Sequence, residues 1–305
     1  MNVANPSTQE IRDLVRERAA KTYRRRKNTS LLLTGVIGIC FLIALLPLGS
    51  ILYNVVVKGG HFLTWNFLST PQQLPNLLHK DAIGGVSDAI SGSLIIDGLA
   101  ILISVPIAMA LAMALYEFRN RFTDILRTIL QSMIGLPSIL YGIFVYSFIL
   151  VPLARNAGVA FAGSLALAIM MTPLMAIAGE AGLRDVPGTL KEAGLALGGQ
   201  SSSVMRRVLL PYAVPRLLTG ILLALSRAVG ETAPILFVIG ANLAVSWNLN
   251  GPVQALPTLI FNYLGSAYEY ERQATWGMAL ILMITILFLN LLSRTIVSRM
   301  NKGRR

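Results

Sequence analysis

An all-α membrane protein with six transmembrane helices is the fold class this sequence predicts, and three observations predict it. Of 305 residues, 54% are hydrophobic and 13% charged, with a mean hydropathy of +0.65. That is too few charges and too much apolar sequence for a water-soluble globule. Six apolar runs reach the roughly 20 residues needed to cross a bilayer: Leu31–Val57, Ile90–Phe118, Ile125–Leu153, Val159–Gly182, Pro215–Ala241 and Thr275–Val297. The basic residues also segregate. Eight lie in the N-terminal tail, three after span two, five after span four and five at the C-terminal end, against Lys58, Lys80, Arg155 and Arg272 on the other side. The positive-inside rule then sets both termini of this multi-pass protein in the cytosol.

The N-terminal segment, residues 1–30, reads as a cytosolic basic amphipathic element. Ile11, Leu14, Val15 and Arg18 recur at helical spacing over residues 7–27, and Arg12, Arg16 and the later basic run suit anionic headgroups. Nucleic-acid binding is the rival reading of this tail; a basic juxtamembrane segment is the expected topogenic signal, so the bilayer is the expected partner and no nucleic acid is. The first apolar run is too long for a signal-peptide core, so span one is expected to be retained. Cys40, the single cysteine, excludes an intrachain disulfide and a cysteine metal cluster. From Lys58 to Val86, Gly59-Gly60, Pro71, Pro75, His61, His79 and Gly84-Gly85 mark an external loop. Two histidines without acidic or thiol partners make solvated side chains, not a metal site.

Within the spans, Pro106, Pro137 and Pro173 predict kinks satisfied by neighbouring helices. Asp97 in span two is an intramembrane acid with three open readings: a partner for Arg227, a contact to another subunit, or a group near the external end where water reaches it. The external stretch Asn242–Gln273 holds Trp247, Tyr263, Tyr268 and Tyr270 and reads as a re-entrant or interfacial element. The permease domain as a whole is expected over residues 31–298, with a basic cytosolic tail at 299–305.

Between spans four and five, at about residues 183–214, lies a polar stretch punctuated by glycine. Glu192, Ala193, Leu195, Ala196 and Leu197 form one helix, Gly198-Gly199 lets the chain turn, and Ser201 is placed to cap the next helix. Span five carries Ser226-Arg227-Ala228-Val229-Gly230-Glu231-Thr232-Ala233-Pro234. An Arg and a Glu at membrane depth must pair, face a cavity, or both. Their four-residue spacing sets them on one helical face, Gly230 admits a close neighbour, and Pro234 weakens the backbone ladder.

These two stretches resemble the permeases of ABC phosphate importers, PstA type. Glu192-Ala193-Gly194, Gly198 and Val208-Leu209-Leu210-Pro211 keep the spacing of the EAA loop, with Gly194 for the second alanine. Arg227 to Pro234 keeps the R-A-x-G-E-T-A-P signature, and Gly135-Leu136-Pro137-Ser138 is similar to the family's G-x-P-S segment. The resemblance implies the type I importer permease architecture with a cytosolic coupling helix pair. It implies that Glu192, Ala193, Gly194, Gly198 and Pro211 dock on an ATPase, and that Arg227, Glu231, Thr232 and Ser138 contact substrate. It further implies a homologous PstC-type permease, two PstB-type ATPase subunits and a PstS-type phosphate-binding protein as partners, inorganic phosphate as cargo, and no cofactor. A PstC-type subunit is the alternative; Ala233-Pro234 after Glu-Thr favours PstA type.

The chemistry agrees with an oxyanion. A guanidinium offers planar, multi-donor contact that an ammonium does not. Glu231 either holds Arg227 in place and tempers its affinity, or accepts a hydrogen bond from protonated phosphate. On both accounts it disfavours a fully ionised anion such as sulfate. The alternatives are a structural ion pair locking span five to a neighbour, or a permease for another oxyanion or a phosphonate. An intramembrane enzyme would need clustered carboxylates, an activated nucleophile or an H-E-x-x-H helix. The chain has none of these, and no G-x-x-x-x-G-K-[ST] phosphate loop.

Overall fold

The computed structural model describes residues 8–73, 84–118, 120–153 and 158–302. The predicted features at Pro75, His79, Lys80, Arg119, Arg155 and the extreme C-terminus lie outside the described residues. Among the described residues no strand occurs. The chain divides into two units, Met1–Asn54 and Val55–Arg305.

The first unit is the greater part of α1, which runs unbroken over Thr8–Gly60. The basic segment and span one, read from sequence as separate elements, are therefore a single helix. The run from Lys21 to Lys27 contains no Gly, Pro or capping pattern that would stop it. From Leu31 to Leu52 the large apolar side chains are exposed, and so is Cys40. A helix apolar on every face is one that faces lipid.

In the second unit, α2 (Trp65–Ser69), capped by Thr64, leads to α3 (Ser87–Glu117). Then come α4 (Arg121–Ile134), α5 (Ile139–Val145) with a wide turn at Tyr146–Leu150, and α6 (Ala160–Arg184). Next are α7 (Gly188–Ala196) and α8 (Ser201–Val204), which continues through a π-turn (Met205–Leu209) into α9 (Leu210–Ala228). The last two helices are α10 (Leu256–Leu264) and α11 (Glu269–Lys302). Among the described residues, five helical stretches are long and apolar enough to span a bilayer, six if the bent pair α4 and α5 counts as one.

Helix α6 is the most enclosed, with 67% of its most apolar stretch buried. Small residues permit this: Gly179 lies against Ala112 of α3, and Gly220 of α9 against Ala178. Close approach of backbones through Gly and Ala is how helices associate where hydrophobic burial alone supplies no driving force. Ile96 of α3 also meets Gly163 of α6, so these two helices run parallel in fixed register.

Two spans differ from their sequence boundaries. Span three is broken: the helix direction bends by 110° from α4 to α5 across residues 135–138. Gly135 and Leu136 close tight turns back to Ser132 and Met133, and Pro137 has no N–H to continue the helix, so the ladder ends there. Asn120 and Thr123 exchange hydrogen bonds in a capping box that starts α4. Span five begins at Ser201, well before Pro215, and its helix stops at Ala228 rather than reaching Ala241. Residues 229–255 are non-helical, with Ile235, Val238, Ile239 and Val253 buried and residues 243–250 mostly exposed. The carbonyls of Val238, Gly251 and Leu249 accept the N–H groups of Val159, Ala160 and Phe161 at the start of α6. Irregular backbone at membrane depth and the orphan donors of a helix N-terminus thus satisfy one another.

Candidate functional site

Arg227 stands one residue before the end of α9, and the chain turns out of the helix at Gly230. Its Nε donates to Glu231 Oε1 at 3.3 Å. The predicted pairing is present, although Glu231 lies beyond the helix end rather than on its face. Gly230 and Glu231 close short turns to Arg227 and Ala228, and Pro234 follows where a regular ladder would need an N–H. The Arg227 side chain is 47% exposed and that of Glu231 20%. Among the described residues, Nη1 and Nη2 of Arg227 make no hydrogen bond, so the forked edge of the guanidinium remains available for a bidentate acceptor.

Around it, Arg227 and Ala224 of α9, Met170, Met171 and Leu174 of α6, and Ile134, Leu136 and Tyr141 of the bent pair line one crevice. Leu136 and Tyr141 bracket Ser138. Ser138 sits at the N-cap of α5, half-buried, its hydroxyl not used for capping, and it does not line the crevice. Thr232 does not line it either; its carbonyl accepts the N–H groups of Ile235 and Leu236. The structure therefore brings Arg227 and Glu231 together and leaves Ser138 and Thr232 on the margin. Asp97 shows no ion pair with Arg227. The α3–α6 register puts it level with Ser164, about two turns from Met170 and Met171 beside Arg227.

Sequence reading missed what anchors the bent pair. Tyr141 is buried, and its hydroxyl donates to the Met133 carbonyl at 2.5 Å, across the break. At the other end, Arg127 of α4 forks onto Glu180 of α6 through Nη2 at 2.7 Å and Nε at 3.2 Å, and Arg184 adds a second clasp at 2.7 Å. Glu180 is only 4% exposed; a carboxylate so enclosed is retained where its charge is paired. A Tyr four residues after the proline in an apolar run was the available signal.

The glycine-punctuated stretch forms two helices around a turn. Gly198 has φ +82°, the left-handed conformation a glycine adopts freely just past a helix end, and its N–H donates to the Leu195 carbonyl at 2.9 Å. Gly194 lies against Val204, where a Cβ would press on its methyls at 3.0 Å, and Gly199 N–H donates to the Gly194 carbonyl, so α7 and α8 pack closely. Helix α7 has no buried residue, Leu197 is 90% exposed, and Glu192, Ala193 and Leu195 also face outward. The base is packed: Val204, Met205 and Leu209 join Ala112, Leu183 and Leu217 in an apolar cluster. Pro211 has no N–H for a regular ladder, and the π-turn before it bridges the gap through Leu210 N–H to Met205. Ser201 does not cap α8; Gln200 holds that position, and the Ser201 hydroxyl donates to Glu117 at 2.6 Å.

The family of binding-protein-dependent transport system inner membrane components matches residues 104–303. The chain is 36% identical over 269 residues to a probable phosphate transport system permease protein PstA of Methanocaldococcus jannaschii, covering 88% of this chain and 92% of that one. It is 34% identical over 272 residues to phosphate transport system permease protein PstA 1 of Mycobacterium tuberculosis, 88% of each chain. With PstA of Haemophilus influenzae it shares 33% over 271 residues, 88% of this chain and 94% of that one. Among solved structures, a bacterial alginate ABC transporter aligns with a TM-score of 0.62 at 14% identity, over 87% of this chain and 95% of that one. The inward-facing MetNI methionine transporter gives 0.55 at 21%, over 71% and 94%. These last two speak for the fold alone. Through the matched family, the relatives over most of its length and a helical architecture of apolar spans, this chain belongs to the binding-protein-dependent transport system inner membrane components, among their PstA-type permeases.

Proposed function

We propose that the chain is the permease subunit of an ATP-driven inorganic phosphate importer, forming one half of the passage. The observation that carries the substrate reading is the half-exposed Arg227 guanidinium. Glu231 engages it at Nε, and among the described residues no hydrogen bond occupies its Nη edge at the end of a spanning helix. A tetrahedral oxyanion meets two N–H donors on that edge, while the neighbouring carboxylate accepts from a protonated phosphate and repels a fully ionised anion. The names of the relatives support the same substrate. Ser138 and Thr232 serve as flanking contacts when the passage is occupied.

The second half of the reading is mechanical. Both termini and α7 face the cytosol, and the exposed Leu195 and Leu197 beside Glu192 and Ala193 make the surface on which an ATPase docks. Gly194, Gly198 and Pro211 shape that surface. A homologous PstC-type permease, two PstB-type ATPase subunits and a PstS-type binding protein complete the assembly. ATP-driven closure of the ATPases moves α7 and α8, and the passage alternates its access. The chain itself hydrolyses nothing. Reconstitution with these partners, followed by ATP hydrolysis across phosphate, sulfate and phosphonates, tests the reading. Phosphate alone is expected to stimulate; a stronger response to another anion would reassign the substrate.

A further inference from the structure

Glu117 is the last residue of α3, and both of its carboxylate oxygens are engaged by the proposed docking element. Lys191 of α7 donates through Nζ to Oε2 at 3.1 Å, and Ser201 of α8 donates through Oγ to Oε1 at 2.6 Å. The two donors lie on opposite sides of the Gly198-Gly199 turn. Lys191 Nζ also sits 5.2 Å over the Tyr116 ring, which fixes its approach to the end of α3. Among the described residues, Lys191–Glu117 is the only side-chain hydrogen bond or ion pair that ties α7 to any other element.

We infer that Glu117 is a latch through which α7 and α8 together drive α3, a positioning residue for coupling rather than a contact to substrate. This rests on the docking role proposed above. Three features favour it. Lys191 and Glu117 are each 31% exposed, and ion pairs exposed to that degree contribute little to stability, so the pair is poorly explained as a fold determinant. One carboxylate takes a hydrogen bond from each helix, so it adds a polar tie between the already packed α7–α8 pair and the end of α3, beside the apolar contacts of Val204 and Met205 with Ala112. And α3 leads on to the candidate passage: Ala112 abuts Gly179, while Ile96 and Ile239 both pack on Gly163. Ile239 belongs to the same non-helical segment as Glu231. A tilt of the Glu117 end is thereby delivered along α3 to the segment that holds the Arg227 partner.

The test uses the complete reconstituted assembly with Glu117→Ala, Glu117→Gln, Lys191→Glu and the charge-swapped pair Glu117→Lys with Lys191→Glu. The latch predicts that Glu117→Ala keeps the ATPase subunit bound and hydrolysing, while phosphate moved per ATP falls about tenfold. The swapped pair should recover at least part of what Lys191→Glu alone loses. Unchanged transport per ATP in Glu117→Ala overturns the latch, as does loss of ATPase binding that the swapped pair does not repair. A wild-type assembly stimulated by no anion would instead count against the phosphate reading. A second measurement is independent of substrate: the spin-label separation between Thr189→Cys and Phe118→Cys, in a Cys40→Ser background. It should stay constant between nucleotide-free and nucleotide-trapped states and vary only when Glu117 is Ala. A separation that changes in otherwise wild-type protein overturns the latch whatever the substrate.

Discussion

Gly142 and Pro234 meet backbone to backbone: a Cβ on residue 142 would run into the carbonyl of Pro234. This contact docks α5, the second arm of the bent pair, on the segment that carries Glu231. It places Tyr141, and with it the break at residues 135–138, beside Arg227. The site therefore depends on a glycine that has no chemistry of its own.

Gly142→Ala is expected to cost about 1–3 kcal/mol, the range for overpacking a filled site. Gly35→Ala is the control, since nothing lies within 4 Å of a Cβ there, and it should be neutral or slightly stabilising because Ala favours helix over Gly. Thermal unfolding of the purified protein in detergent compares the two. Equal midpoints would mean that α5 and residue 234 do not press together as described.

Arg127→Ala leaves Glu180, with 6% of its side chain exposed, facing only Arg184. Breaking a buried pair from one side costs about 3–5 kcal/mol, with the lower end expected because Arg184 remains. The same substitution combined with Glu180→Leu should recover most of the loss, because no buried charge is then left unpaired. Failure of the double variant to recover would show that Arg127 acts through something other than Glu180.

At Gly198 the left-handed backbone imposes roughly 1–2 kcal/mol on a residue with a Cβ, and more on a β-branched one. Gly198→Val should weaken recovery of the ATPase subunit in a pull-down, whereas Gly198→Asn should be tolerated, since Asn enters this conformation more readily. Identical recovery with both variants would separate the turn geometry from docking.

The chemistry of the fork is tested by Arg227→Lys. It keeps the charge and loses the planar pair of donors, and hydrogen bonds to charged groups are worth about 1.5–3 kcal/mol. Phosphate stimulation should therefore fall roughly tenfold to hundredfold, with discrimination against sulfate reduced. Full retention with Lys would mean that charge alone suffices.

How far the sequence was legible follows from what hydropathy and spacing encode. The membrane class, the Arg227–Glu231 pairing and the two helices around Gly198 are local features, and local pattern revealed them. The stop at Ala228 was hidden because residues 229–240 are as apolar as a spanning helix, with Val229, Ile235, Val238 and Ile239 buried in protein. Hydropathy cannot separate the two. The break at Pro137 looked like a kink, since its depth depends on Tyr141 tying the arms across the break and on Arg127 fixing α4 to α6. Ser201 fits a capping position, yet its hydroxyl finds a carboxylate at Glu117, 84 residues away in the chain. No spacing rule reaches that far.

The most direct measurement is phosphate uptake into vesicles containing the complete assembly with Arg227→Ala. Uptake should be abolished while membrane insertion and ATPase assembly remain intact. Uptake at the wild-type rate would contradict the account, because the guanidinium at the end of α9 would then play no part in passage.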